Sequence, residues 1–317
     1  MKYFTFANGD KMPLFGLGTW KSNDRDAYKA VREAIRIGYR HFDCAARYEN
    51  EKEVGEAFSD AIAAGEVKRK ELWITSKLWN NAHLPEHVQP NLEATLRDLQ
   101  IEYIDLYLMH WPVALKPEVI FPAKGDEFLS LDEIPLIDTW KALEKCHKMG
   151  LARHIGVSNF NIPKIEKLIA QGGMTPECNQ VESHPFLQQP KLFAYCQENH
   201  IAYTAYSPLG SQDRPARLKK ETDPLILEHP TVMDIAKETN STPGQVLIAW
   251  AVQRGSAVIP KSSNPGRLRQ NFAAASMDLS ADQMERIAAL EKGFRYVDGS
   301  IWALEGSPYT VESLWNE

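Results

Sequence analysis

The 317-residue chain carries 36 Lys and Arg against 42 Asp and Glu, a formal net charge of −6, with 44% hydrophobic and 25% charged residues. That balance disfavours bulk nucleic-acid binding and is ordinary for an enzyme with a sizeable core. No run approaches the roughly 18 uncharged apolar residues of a membrane span, and the stretch from Met1 to Asp10 lacks the apolar region of a secretory signal. Cys44, Cys146, Cys178 and Cys196 form no C-x-x-C motif, so reduced thiols in a cytoplasmic protein are expected.

In chain order, Tyr3–Phe6 and Met12–Pro13 flank Asn8-Gly9, which predicts a β-hairpin. Leu14–Gly18 is the first candidate core strand, and Ala27, Ala30, Val31, Ala34 and Ile35 stripe the helix after it. A short strand then ends on Asp43. A polar loop holding Tyr48 follows, and a helix with Val54, Ala57, Phe58 and Ile62 on one face. Leu72–Ser76 ends at Lys77 and Ile104–Met109 ends at His110; the helices after them carry Val88, Leu92, Leu96 and Leu99, then Trp140, Leu143 and Cys146. His154–Val157 leads into Ser158-Asn159, and Asn161 two residues before Pro163 reads as a capped helix start. Cys178–Val181, Ile201–Tyr206 and Ala257–Ile259 complete the strands; Thr242-Pro243 opens a helix that is apolar nearly all round, from Val246 to Val252.

Eight short strands alternating with helices indicate a closed parallel sheet, a (β/α)₈ TIM barrel with an N-terminal hairpin. No linker divides residues 1–317, so one domain is expected. A Rossmann fold would want G-x-G-x-x-G after the first strand, whereas Gly16-x-Gly18 is followed by Trp20-Lys21. Three segments exceed ordinary connections: Trp111–Pro135; Ser207–Asp223, which carries Asp213, Arg214, Arg217, Lys219 and Lys220; and the tail from about 293 to 317, with Tyr296, Trp302, Tyr309 and Trp315. Loops this long are functional or disordered as a rule, and their aromatic content favours function.

The strands close on Asp43, Lys77, His110, Asn159, Gln180, Tyr206 and Lys261, and in a barrel such ends converge on one rim. A free phenol, with a pKa near 10, is a poor acid–base group at neutral pH. A lysine ammonium beside Tyr48 would favour the phenolate and lower that value, and an aspartate would hold the lysine in place. Taken singly, Asp43 could cap a turn, Lys77 could be a solvated charge and His110 a satisfied core imidazole. Together they make a proton-transfer group the better reading. His83 and His87 stand at i, i+4, but Pro85 intervenes and no third ligand is near. They read as surface residues, and no metal is expected.

The chain resembles the aldo-keto reductase superfamily, in the group of aldehyde, aldose and xylose reductases. The matching segments are Gly16–Trp20, Gly38–Asp43 with Tyr48-x-Asn50-Glu51, Thr75–Trp79, Asp105–Pro112, Ile155–Phe160, Asn179–Glu182, Ala205–Gly210 and Ile259–Ser262. The resemblance implies reversible NADPH-dependent reduction of aldehydes, aldoses included, in which Asp43, Tyr48, Lys77 and His110 form a tetrad and Tyr48 is the general acid. It implies that Ser158, Asn159 and Gln180 hold the carboxamide and that Tyr206 stacks on the nicotinamide. Ser207, Leu209, Ser211 and Asp213 match positions along the pyrophosphate; Lys261, Ser262, Asn264 and Arg267 match those around the 2′-phosphate, with Gln270 and Asn271 near adenine.

Gln270 and Asn264 depart from the commonest residues at their positions, which leaves some NADH use open. Arg47 replaces a small or apolar residue at the pocket mouth and suggests aldehydes bearing a carboxylate or phosphate; an arginine turned to solvent is the competing reading. Trp20, Trp79 and Trp111 each follow a strand end, and Phe121 and Trp302 are expected to complete an aromatic pocket. Partners implied are small carbonyl compounds, with neither nucleic acid nor membrane. A monomer is the default, since the barrel closes its own core, and a dimer is compatible. Two rivals remain at this stage: a non-catalytic NADP(H)-binding regulatory barrel, which the intact tetrad disfavours, and a phosphate-binding barrel isomerase.

Overall fold

A computed structural model describes residues 1–22 and 24–316, with residues 24 and 217 described by backbone alone. The hairpin forms from β1 (Tyr3–Thr5) and β2 (Lys11–Pro13), paired antiparallel across the Asn8-Gly9 turn. After it the chain runs β3 (Leu17–Gly18), α1 (Asp24–Ile37), β4 (His41–Asp43), α2 (Glu51–Ala63), β5 (Trp73–Leu78), α3 (Pro85–Asp98) and β6 (Ile104–Met109). A small antiparallel pair, β7 (Ala114–Leu115) and β8 (Phe128–Leu129), interrupts the long connection before α4 (Leu136–Lys148). Then come β9 (Ala152–Ser158), α5 (Ile162–Ala170), β10 (Cys178–Glu182), α6 (Pro190–Glu198), β11 (Ala202–Tyr206), α7 (Pro230–Glu238) and α8 (Pro243–Gln253). The chain ends with β12 (Ala257–Val258), α9 (Pro265–Ala274), α10 (Ala281–Ala288) and α11 (Val311–Trp315).

The eight strands β3, β4, β5, β6, β9, β10, β11 and β12 pair in that order, all parallel. Bridges from Phe15 to Val258 and from Gly18 to Lys261 join the two ends. This is a (β/α)₈ barrel. The seam is tight: a Cβ on Gly18 would lie 2.7 Å from the Ile259 carbonyl oxygen, so only glycine lets the strands meet there. The predicted strand Leu14–Gly18 shrinks to Leu17–Gly18 plus the Phe15 bridge, because Leu14 and Phe15 serve as the turn-in from the hairpin. The helix that is apolar all round is α8, whose residues Val246 to Val252 are all buried between α7, α9 and β12. Asn161 caps α5 by accepting from the Lys164 amide, and Thr242 forms a capping box with Gln245 on α8.

The hairpin plugs the N-terminal end of the barrel. Phe6 stacks on Trp73, which opens β5, and on His154, near the start of β9. Asp10 in its turn accepts from Arg153 at 2.7 Å and faces His154 at 3.0 Å, while Glu177 takes the other ring nitrogen at 2.9 Å. His83, expected on the surface, is buried beneath α4, where its carbonyl accepts from the Thr139 hydroxyl at 2.7 Å; burial holds its ring pKa down at about 3. Among the described residues, no His, Cys, Asp or Glu cluster suits a metal, and no helix is long and apolar enough to cross a membrane.

Burial opposes the charged His154 ring, but Glu177 and then Asp10 outweigh it and raise its pKa above the usual 6.5. A raised folded-state value contributes stability that is complete below the unfolded-state pKa and is lost as pH climbs through the folded one. His154→Gln should therefore lower Tm by about 2–4 °C per kcal/mol lost at pH 6 and by progressively less toward pH 9. Thermal melts across that range check this, and a pH-independent loss would contradict it.

Candidate active site

The C-terminal rim of the barrel opens into a cavity of about 550 Å³. Its lining includes Asp43, Tyr48 and His110, and Lys77 lies beneath, wholly buried at 0% exposure. The position of Lys77 inside β5 rather than past its end explains that burial, since successive strand residues alternate between barrel lumen and helix layer. Its Nζ donates to Asp43 Oδ2 at 2.6 Å, to the Cys44 carbonyl at 2.8 Å and to Tyr48 Oη at 3.2 Å. Gln180 Nε2 donates to the other Asp43 oxygen at 2.7 Å. Asp43 thus has both oxygens engaged, and every Lys77 hydrogen has an acceptor.

Burial disfavours the Lys77 ammonium, but Asp43 and Tyr48 more than compensate, and its pKa rises. Burial pushes the Tyr48 phenol up to about 12, against the pull of Lys77. The sequence reading expected the opposite net direction. Lys77 does favour the phenolate; desolvation of the ring at the cavity wall is the larger effect. At neutral pH Tyr48 is a protonated phenol with a cation at hand for its conjugate base. His110 is held well below its ordinary pKa by burial, then by Lys77 and Arg47, so a neutral ring meets Tyr48 edge-on at 6.0 Å. A neutral imidazole can donate one N–H to a carbonyl oxygen.

Asn159, in left-handed backbone with φ 63°, ties the rim together. Its side chain donates to the His110 carbonyl at 2.9 Å and accepts from Tyr206 Oη at 2.7 Å, and Ser158 Oγ donates to the Gln180 carbonyl at 2.8 Å. Ser158, Asn159, Gln180, Tyr206, Ser207, Leu209, Ser211, Asp213, Lys261, Ser262 and Arg267 all line the same cavity. Asn264, Gln270 and Asn271 do not. Asn264 caps α9 by accepting from the Arg267 amide, Gln270 is exposed and Asn271 is buried on that helix.

Trp20, Arg47, Trp79, Trp111, Phe121 and Trp302 form the opposite end of the lining. Trp302 is fully buried and meets Trp79 at 5.8 Å and Trp111 at 5.5 Å, in an apolar cluster separate from the barrel core. Arg47 is 29% exposed, lies 5.6 Å from the Phe121 ring and 5.9 Å from Trp79, and pairs with the more exposed Glu49 at 2.8 Å. Lys21 was missed. Its Nζ donates to the Asp213 carbonyl, joining the loop after β3 to the loop after β11 across the cavity. The only signal was its place directly after Trp20 at a strand end. Arg217 of that second loop lies outside the described side chains.

Fold and site define a (β/α)₈ barrel protein whose C-terminal face holds a buried ion pair against a phenol. Residues 14–292 match the Aldo/keto reductase family. Over 317 residues the sequence is 50% identical to an aldo/keto reductase of Synechocystis sp., covering 100% of this chain and 97% of that protein. It is 46% identical to aldo-keto reductase family 1 member A1 of Xenopus tropicalis over 299 residues, 94% of this chain and 91% of that one. With the Homo sapiens protein of the same name it shares 46% over 291 residues, 91% and 89% of the two chains. The chain belongs to the aldo/keto reductase family.

Removing one partner of a buried pair leaves the other charge uncompensated, at a cost of about 3–5 kcal/mol. Lys77→Met should lose stability on that scale in urea unfolding, and adding Asp43→Asn should recover most of it. Equal stability of the single and double variants would show that the pair is not coupled.

Proposed function

We propose that the chain is an NADP(H)-dependent reductase of aldehydes, working reversibly through Tyr48 as general acid. The observation that carries this reading is the Lys77 ammonium held between Asp43 and the Tyr48 hydroxyl, beside a neutral His110 in one cavity. When bound, the nicotinamide supplies or takes up a hydride. The chain's own residues handle the proton and the oxygen. His110 orients the substrate carbonyl by donating an N–H to its oxygen. As negative charge grows there, Tyr48 Oη gives up its proton to it, and the phenolate left behind is stabilised by Lys77, 3.2 Å away. Solvent restores the phenol; alcohol oxidation runs the same proton in reverse.

The residues present suit a phosphorylated dinucleotide. Lys261 and Arg267 bring two cations to the cavity, with the Ser262 hydroxyl between them in sequence. Arg267 Nε donates to that hydroxyl at 3.4 Å, and among the described residues Lys261 pairs with a distant carboxylate, Asp213 at 3.8 Å. Such a pair suits a phosphate dianion. NADPH is therefore the preferred cofactor, with Ser158, Asn159, Gln180 and Tyr206 around the nicotinamide and Ser207, Leu209, Ser211 and Asp213 along the pyrophosphate. Asn264, Gln270 and Asn271 are assigned to the adenosine end, and the departures of Asn264 and Gln270 from the common pattern leave limited NADH use. We read residues 1–317 as one domain, and the four unpaired, buried thiols support a cytoplasmic setting.

Arg47 sets the expected preference. Its guanidinium faces the aromatic end of the cavity, and among the described residues its buried Nε has no partner, so a carboxylate or phosphate on the aldehyde would find a donor. NADPH oxidation at 340 nm with xylose, glyceraldehyde, a benzaldehyde, glucuronate and succinic semialdehyde tests both points. Tyr48→Phe should lower kcat by about 10²–10⁴-fold. Arg47→Ala should reduce the kcat/KM ratio of anionic to neutral aldehydes, and an unchanged ratio removes the anion preference. Firm NADPH binding with no turnover of any aldehyde would favour a non-catalytic regulatory barrel.

A further inference from the structure

The aromatic end of the cavity is built from two segments far apart in sequence. Trp79 and Trp111 follow β5 and β6, whereas Val297, Ile301 and Trp302 come from the tail. Tail residues reach the cavity only if something holds the tail against the barrel. One tether is Tyr309, whose hydroxyl donates to the Leu129 carbonyl at 2.7 Å and accepts from the Ala114 amide at 2.9 Å. Beyond it lies α11, a single short helix ending at Trp315.

The end of α11 is gripped from α5. Lys164 Nζ donates to the carbonyls of Ser313 and Leu314 at 2.8 and 2.9 Å, the C-terminal helix groups that lack intrahelical partners. Asn161 Nδ2 donates to the Asn316 carbonyl while its Oδ1 caps α5. The gripped turn carries Leu314, buried in the aromatic cluster, and Trp315, whose ring meets Trp111 edge-on at 5.9 Å and whose Nε1 donates to the Asp298 carbonyl at 2.7 Å. Asn159, two residues before Asn161, holds the His110 carbonyl and the Tyr206 hydroxyl. One segment, Ser158–Lys164, therefore borders the reactive end of the cavity at its start and clamps the far wall at its end.

We infer that Lys164, with Asn161, is a positioning residue for substrate selectivity: its ammonium locks the last turn of the tail, where Trp315 backs Trp111, and thereby fixes the Trp111–Trp302 wall on which a bulky substrate rests. The proposal rests on the reductase reading for its kinetic consequence and on geometry alone for its structural one. Lys164 touches neither the cavity floor nor Tyr48. Its loss therefore acts on binding of molecules large enough to reach the wall and not on the chemical step.

Wild type, Lys164→Met and Lys164→Arg are compared with NADPH and two aldehydes, glyceraldehyde and 2-naphthaldehyde. In Lys164→Met, which loses both charge-assisted hydrogen bonds to the tail, KM for naphthaldehyde should rise roughly fivefold or more. Glyceraldehyde KM, both kcat values and NADPH affinity should stay within twofold of wild type (a factor worth about 0.4 kcal/mol), and Lys164→Arg should restore the naphthaldehyde KM. An unchanged naphthaldehyde KM, or both substrates losing kcat together, overturns the inference. Acrylamide quenching of tryptophan fluorescence gives a readout free of activity: Lys164→Met should be quenched more than wild type and Lys164→Arg should not. If wild type reduces neither aldehyde, the reductase reading fails, and equal quenching in all three proteins then overturns the clamp separately.

Discussion

A lysine ammonium with no exposure to solvent is the constraint around which the rest of the structure is arranged. A charge in that place is costly unless it is paired and its hydrogens are all accepted. Asp43, the Cys44 carbonyl and the Tyr48 hydroxyl meet that demand from one strand end and the loop after it. The arrangement requires β4 and β5 to be neighbours in parallel register, with Asp43 paired to Thr75 two residues before Lys77. The barrel supplies this register, and the pair in turn fixes the loop that carries Tyr48. Chemistry and packing meet in the same three atoms.

Outward from that pair, order passes along hydrogen bonds rather than apolar contacts. Asp43 takes Gln180, the Gln180 carbonyl takes Ser158, and Asn159 takes Tyr206 and the His110 carbonyl. The rim is thus a connected polar network above an apolar barrel core, and networks of this kind rigidify a site when every member is satisfied. The aromatic wall is different. It belongs to a second hydrophobic cluster, outside the barrel sheet, that the β7–β8 pair and the tail share, so its shape depends on tail tethers such as Tyr309 and Lys164.

Much of this was legible in the chain itself. Strand ends announced themselves because a parallel barrel strand is an apolar run, so a charged or hydroxylated residue at or near its end stands out: Asp43, Lys77, His110 and Tyr206 were visible for that reason. The hairpin was visible through Asn8-Gly9, and α8 through its unbroken apolar sequence. What escaped were features set by long-range contact. The burial of His83 depends on α4 folding over it, and nothing in its neighbours signals that. Lys21 reads as one more surface lysine until the β11 loop arrives over it. The direction of the Tyr48 shift depends on how much protein surrounds the phenol, a quantity that spacing does not carry. Lys164 and Asn161 meet the tail from about 150 residues away in sequence, and a helix-start pattern reveals only the cap.

The central proposal is that the Tyr48 hydroxyl, tuned by the Lys77–Asp43 pair, delivers the proton that accompanies hydride transfer to an aldehyde. Its most direct test uses NADPH deuterated at the transferable C4 position, glyceraldehyde as substrate, and mass spectrometry of the alcohol. Wild type should place one deuterium on the former carbonyl carbon, and Tyr48→Phe, which retains the ring but not the hydroxyl, should yield almost no labelled product in the same time. Undiminished labelling by Tyr48→Phe would contradict the assignment of Tyr48 as the acid.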